Sequence, residues 1–116
     1  MKLKIHKDVV KEYPHLRIGV VVANDVENKP EGSEVEELKR SAERRLRSGK
    51  WGIENILEHP YIAAWRETYR SFGVKPKDYM PTAESIIRRV LKGNSLPKIS
   101  TVVDAYLAVE LDHFLP

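Results

Sequence analysis

The chain has 116 residues, 41% hydrophobic and 32% charged, a soluble balance with enough length for one domain and a core. Its 20 Lys and Arg outnumber 17 Asp and Glu, giving a net charge of +3, which is compatible with a nucleic-acid partner without requiring one. With no cysteine, a disulfide framework, a thiolate metal site and a cysteine nucleophile are all excluded.

Residues 2–8 alternate weakly, with Leu3 and Ile5 on one side and lysines on the other, which predicts a half-buried strand. Residues 12–15 read as a turn around Pro14. Residues 16–23 hold IGVVVA, a β-branched run that predicts a strand buried on both faces. Asn, Asp, Pro and Gly across residues 24–32 predict a loop.

Ser33 opens the first clear helix, with Glu36 completing a capping-box pattern. Glu34, Glu36 and Glu37 fall in its first turn and Arg44, Arg45 and Arg47 in its last, which complements the helix dipole. Gly49 is its expected stop. Residues 51–58 form a connector. His59-Pro60 then starts a second helix carrying Ile62, Trp65 and Tyr69, and Gly73 ends it. A turn-rich link over 75–81 leads to Thr82, the expected cap of a third helix ending near Lys92-Gly93. Its apolar face is Ile86, Ile87, Val90 and Leu91, and residues 94–97 turn the chain again.

The last helix is predicted over about 101–114, with Thr101 and Asp104 as a variant capping box. Val102, Val103, Ala105, Tyr106, Leu107, Ala108, Val109, Leu111 and Phe114 go almost all the way round it. A helix apolar on all sides is normally buried on all sides, and the preceding elements are expected to cover only part of it. Strands first and helices after predict an α+β fold: a small N-terminal sheet packed against about four helices, in a single domain over 1–116.

Little here carries chemistry. The four histidines, His6, His15, His59 and His113, never stand three to five residues apart, so there is no local zinc motif, and neither a metal nor a cofactor is expected. There is no Walker loop, no spaced-glycine fingerprint and no nucleophile-elbow serine. Glu36-Glu37 is a first-turn pair rather than a catalytic dyad, and no catalytic residue is assigned. No signal peptide is apparent in MKLKIHKDVV, and no apolar run reaches the roughly 20 residues of a spanning helix. The expected compartment is cytoplasmic, with no membrane partner.

Basic and aromatic residues do interleave. Trp65, Arg66, Tyr69 and Arg70 share one helix, Lys75 and Lys77 follow in the link, and Arg88, Arg89 and Lys92 end the next helix. Cations neutralise phosphates and exposed aromatics stack on unpaired bases, so these nine residues form a candidate RNA-binding face. The competing reading buries the aromatics and leaves the cations solvated. Asp104 stands in a strongly apolar stretch, as a helix cap or as a carboxylate that orients a ligand or a turn. Tyr106 is expected to be buried with its hydroxyl satisfied.

The stretch WRETYRSFGVKPKDYMPTAESIIRRVLKGNSLPKISTVVDAYLAVEL resembles the B3/B4 domain, found in the beta subunit of phenylalanyl-tRNA synthetase and in stand-alone proteins. The residues that carry the resemblance are Trp65, Arg66, Tyr69, Phe72-Gly73, Lys75-Pro76, Glu84, Arg88-Arg89, Leu91-Lys92-Gly93, Leu96-Pro97 and Val103-Asp104. They span about residues 61–116; the first half of the chain fits only in layout. Ser100 and Leu107 stand where the family often has asparagines, and Glu110 where stand-alone members tend to have serine.

The resemblance implies tRNA-related work: binding tRNA, or hydrolysing mischarged aminoacyl-tRNA in trans by attack of water on the ester. It marks Glu84, Thr101 and Asp104 as structural or pocket residues. It also implies that this chain corresponds to an N-terminal half, with the family's specificity residues lying beyond it. The expected partners are then tRNA, and a second half-domain chain or a homo-oligomer covering residues 101–116. A noncatalytic module that oligomerises through its apolar last helix is the alternative, and a small-molecule hydrolase or amino-acid binder is a weaker third.

Overall fold

The structure is a computed structural model, described here over residues 1–28 and 33–116. Among the described residues five α-helices run in order: α1 Lys7–Glu12, α2 Ser33–Ser48, α3 Pro60–Ser71, α4 Thr82–Leu91 and α5 Thr101–His113. A short 3-10 turn, Ile56–Glu58, precedes α3.

No strand exists among the described residues, which corrects the α+β expectation: the fold is all-helical. Residues 7–12, partly read as strand, form α1, started by the His6 ring, whose Nδ1 accepts from the Asp8 N–H at 3.4 Å. Residues 16–23 are neither paired nor buried. A strand needs a neighbour to share its backbone hydrogen bonds, and no described residue supplies one. β-branched composition alone does not make a strand. Of the expected loop over 24–32, residues 29–32 lie outside the described residues, as does the Ser33 side chain expected to cap α2.

The helices follow the sequence more closely. α2 begins at Ser33 and ends just before Gly49. In α3, His59 is the N-cap, Pro60 the first residue, and Gly73 takes a φ of 82° that a side chain would strain. α4 starts at Thr82 with Pro81 as its cap residue. In α5 the cap is one residue earlier than expected: Ser100 Oγ accepts from Val103 N–H at 3.4 Å.

The core is built by α2, α4 and α5, with α2 against α5 as the main helix contact. Ala42 and Leu46 of α2 meet Ala83, Ile87 and Val90 of α4 and Leu107, Ala108 and Leu111 of α5; Ile56, Ile62 and Leu96 complete it. Nothing in residues 1–28 is buried. Side-chain bonds tie that stretch to the helices, among them Tyr13 hydroxyl with Ser71 Oγ at 3.1 Å and Val102 N–H to Asn28 Oδ1 at 3.1 Å. The fold is correspondingly open. Its radius of gyration is 16.0 Å, against about 13 Å for a compact domain of this length. Its accessible surface is 8645 Å², against about 6,500 Å² for a compact monomer of this mass.

Candidate functional site

Three buried charge clusters set the geometry. The first joins α2 to the start of α5. Lys39 is fully buried, and its Nζ reaches Asp104 Oδ2 at 2.8 Å, the Pro97 carbonyl at 3.0 Å and Glu36 Oε1 at 2.9 Å. The other Asp104 oxygen accepts from Ile99 N–H at 2.9 Å. Burial by itself would raise the Asp104 pKa, but the Lys39 ammonium and the backbone donors outweigh it and hold the carboxyl below its usual range. Burial likewise works to lower Lys39, yet Asp104 and Glu36 raise it on balance. Both partners are thus held in their charged forms. Asp104 thus does two things: it accepts backbone N–H groups of Ile99 and Ser100 at the start of α5, whose cap residue is Ser100 rather than Thr101, and it ties that turn to α2 through Lys39. Thr101 is half-buried beside it.

The second cluster pins the 94–97 turn. Buried Glu43 receives Arg40 Nη1 at 2.8 and 2.7 Å and the Leu96 N–H at 2.6 Å. The third centres on Glu84, fully buried in α4. Arg66 of α3 donates to both its oxygens at 2.9 Å, and Arg88, one turn on, donates Nε at 2.9 Å.

These clusters divide the nine candidate RNA-binding residues. Arg66 and Arg88 are drawn together as partners of Glu84. Arg70 pairs with Glu67 at 3.3 Å, and Arg89 donates to the Ser95 carbonyl at 2.7 Å. Trp65 and Tyr69 are half-buried and meet edge-on, with centroids 6.5 Å apart. Lys75, Lys77 and Lys92 are exposed, with no ion-pair partner among the described residues. Trp65 also lines an apolar cleft of about 660 Å³ between α3 and residues 12–16.

A wider cleft, about 1040 Å³, opens between α5 and residues 19–27. Gly19, Val21, Ala23 and Val26 form one wall; Val102, Tyr106 and Val109, at helical spacing on α5, form the other. α5 thus has two unlike sides. Leu107, Ala108 and Leu111 are in the core, while Val102, Tyr106 and Val109 stay 42%, 53% and 51% exposed. Tyr106, expected to be buried, is among the exposed. Glu110 lies on this cleft, buried to 5% exposure, and its Oε1 has no hydrogen-bond partner among the described residues. Burial raises its pKa.

Sequence reasoning passed over Lys39, Glu43 and the Glu110 cleft. A signal was present for the first two. Lys39 repeats in helical phase with Val35, Ala42 and Leu46, and Glu43 lies four residues on, so both stand where core residues belong.

Among the described residues, no group of three or more His, Asp or Glu is arranged to hold a metal ion, and no helix is long and apolar enough to cross a membrane. No family model, no curated protein and no solved structure matches this chain.

Proposed function

We propose that this chain is a protein-interaction module that docks a polypeptide in the cleft between α5 and residues 19–27. The observation that carries this reading is the bare face of α5: Val102, Tyr106 and Val109, each more than 40% exposed and one helical turn apart. Sedimentation velocity and binding of an environment-sensitive apolar dye test it. Assembly that Val109→Lys abolishes, or dye binding by a monomer that Val109→Lys reduces, is the expected result. A monomer that binds no dye overturns it.

A second reading follows from Lys75, Lys77 and Lys92, exposed cations with no ion-pair partner among the described residues. They support tRNA binding along the flank of α3 and α4, as the B3/B4 resemblance implies. Filter binding should then weaken by orders of magnitude between about 50 and 200 mM salt. Lys75→Glu, Lys77→Glu and Lys92→Glu together should weaken it at unchanged thermal midpoint. No tRNA retention at low salt sinks this reading. Editing in trans would further require ester release from mischarged tRNA.

A further inference from the structure

We propose that the docked polypeptide is a second copy of this chain, whose residues 17–25 lie antiparallel to the same residues of the first, centred on Val21. This rests on the interaction reading above and names its occupant. The pairing forms between two chains, and each chain by itself remains all-helical.

Backbone chemistry is the first argument. Among the described residues, no backbone N–H or C=O of residues 17–26 hydrogen-bonds to the rest of the chain. A ten-residue stretch with an apolar middle, Ile18 to Ala23, and unused backbone donors and acceptors is a template for another extended chain. The side chains agree. Gly19, Val21 and Ala23 line the cleft in alternation, while Ile18, Val20 and Val22 are 51%, 52% and 59% exposed. Val21, at the centre, is 94% exposed.

Charge selects the register. With Val21 opposite Val21, Arg17 of each copy stands across from Asp25 of the other, Gly19 from Ala23, and Val20 from Val22. Opposite charges across an antiparallel pair attract, so both ends of the ribbon are matched. A parallel pairing would set Arg17 against Arg17 and Asp25 against Asp25, and a one-residue slip would set Asp25 against Ile18. Asp25 also has a φ of 55°, in the left-handed region that aspartate tolerates and that a strand does not continue through, so a pairing would end at this charged residue. Because each copy uses the same segment, the assembly closes at two.

None of residues 17–25 is buried, so substitutions there leave the core intact. With no cysteine in the chain, Val21→Cys is a clean probe. Sedimentation of the full chain should show a dimer, and Val21→Cys should form a disulfide-linked dimer under mild oxidation while Val9→Cys does not. Arg17→Asp and Asp25→Lys should each weaken the dimer by about tenfold or more, because like charges then face each other, and the double variant should recover it. A monomeric wild type overturns the self-pairing, while dye binding still decides the interaction reading. A dimer lost on Val109→Lys but indifferent to Arg17→Asp, with no Val21→Cys link, overturns the self-pairing and upholds the interaction reading. A dimer lost on Arg17→Asp, restored by the double variant and weakened by Val109→Lys supports both the pairing and its seat beside α5, and one unaffected by Val109→Lys overturns docking in the α5 cleft.

Discussion

Lys39 Nζ lies 2.8 Å from Asp104 Oδ2, with the Lys39 side chain wholly out of solvent and that of Asp104 only 5% exposed. This pair joins the middle of α2 to the first turn of α5, so it sets where the last helix lies on the core.

Breaking that pair from one side should be costly. Lys39→Met leaves a buried carboxylate without its cation and should lose about 3–5 kcal/mol in denaturant unfolding. Lys39→Met with Asp104→Leu removes both charges and should recover most of it. The lowered Asp104 pKa also has a pH consequence. Its stabilisation is complete above the unfolded aspartate value, about 3.9, and is lost as pH falls through the lower folded value. Lys39, raised, keeps its contribution until pH climbs through its folded value, above about 10.4. A stability–pH curve on wild type and the double variant checks both ends.

Glu84 turns two candidate RNA-binding arginines into core residues. Arg66→Ala should lower the thermal midpoint, by about 2–4 kcal/mol of stability, since Glu84 loses two of its three hydrogen bonds inside the protein. Lys77→Ala, at an exposed lysine, should change stability by less than about 0.5 kcal/mol. Equal effects from the two would show that Arg66 does not anchor Glu84.

Glu110 is the place where the fold forgoes stability. Its buried Oε1 is unpartnered among the described residues, so Glu110→Met should stabilise the monomer by roughly 1–2 kcal/mol at neutral pH. Burial raises its folded pKa, so the folded chain holds this proton to higher pH than the unfolded chain. Stability therefore falls as pH rises from about 4.3 through the folded value, and that slope should vanish in Glu110→Met. Unfolding midpoints between pH 4 and 8 decide it.

His59 stacks on Phe114, with ring centroids 4.1 Å apart and planes 4° from parallel, and its Nδ1 accepts from the Tyr61 N–H at 3.2 Å. Acceptance at Nδ1 needs the neutral ring. Burial, then the charge of Lys50, lowers its pKa. Stability should therefore drop as pH falls from about 6.5 through the folded value. NMR titration should place His59 below an ordinary histidine, and Lys50→Met should bring it part of the way back.

Much of the helical half was legible because its signals are local. His59-Pro60 starts α3, and Gly73 and Gly93 take the positive φ values that end α3 and α4. Apolar spacing in α4 matches its buried face. The partners in the polar clusters were not legible, because each cluster links residues far apart in sequence: Lys39 with Asp104, Glu43 with Leu96, Arg66 with Glu84. Local reasoning found the part of Asp104 that holds backbone N–H groups at the start of α5, and missed the lysine 65 residues away that takes its other oxygen.

The sequence by itself determined closely where α2, α3, α4 and α5 start and stop, because caps, prolines and glycines act within one turn of the chain, but it did not show α1. Tertiary structure alone decided that IGVVVA stays unpaired, since a strand exists only where a second strand meets its hydrogen bonds. It also decided which side of the all-apolar α5 is covered: α2 takes the Leu107–Leu111 side, and Val102, Tyr106 and Val109 are left facing the cleft.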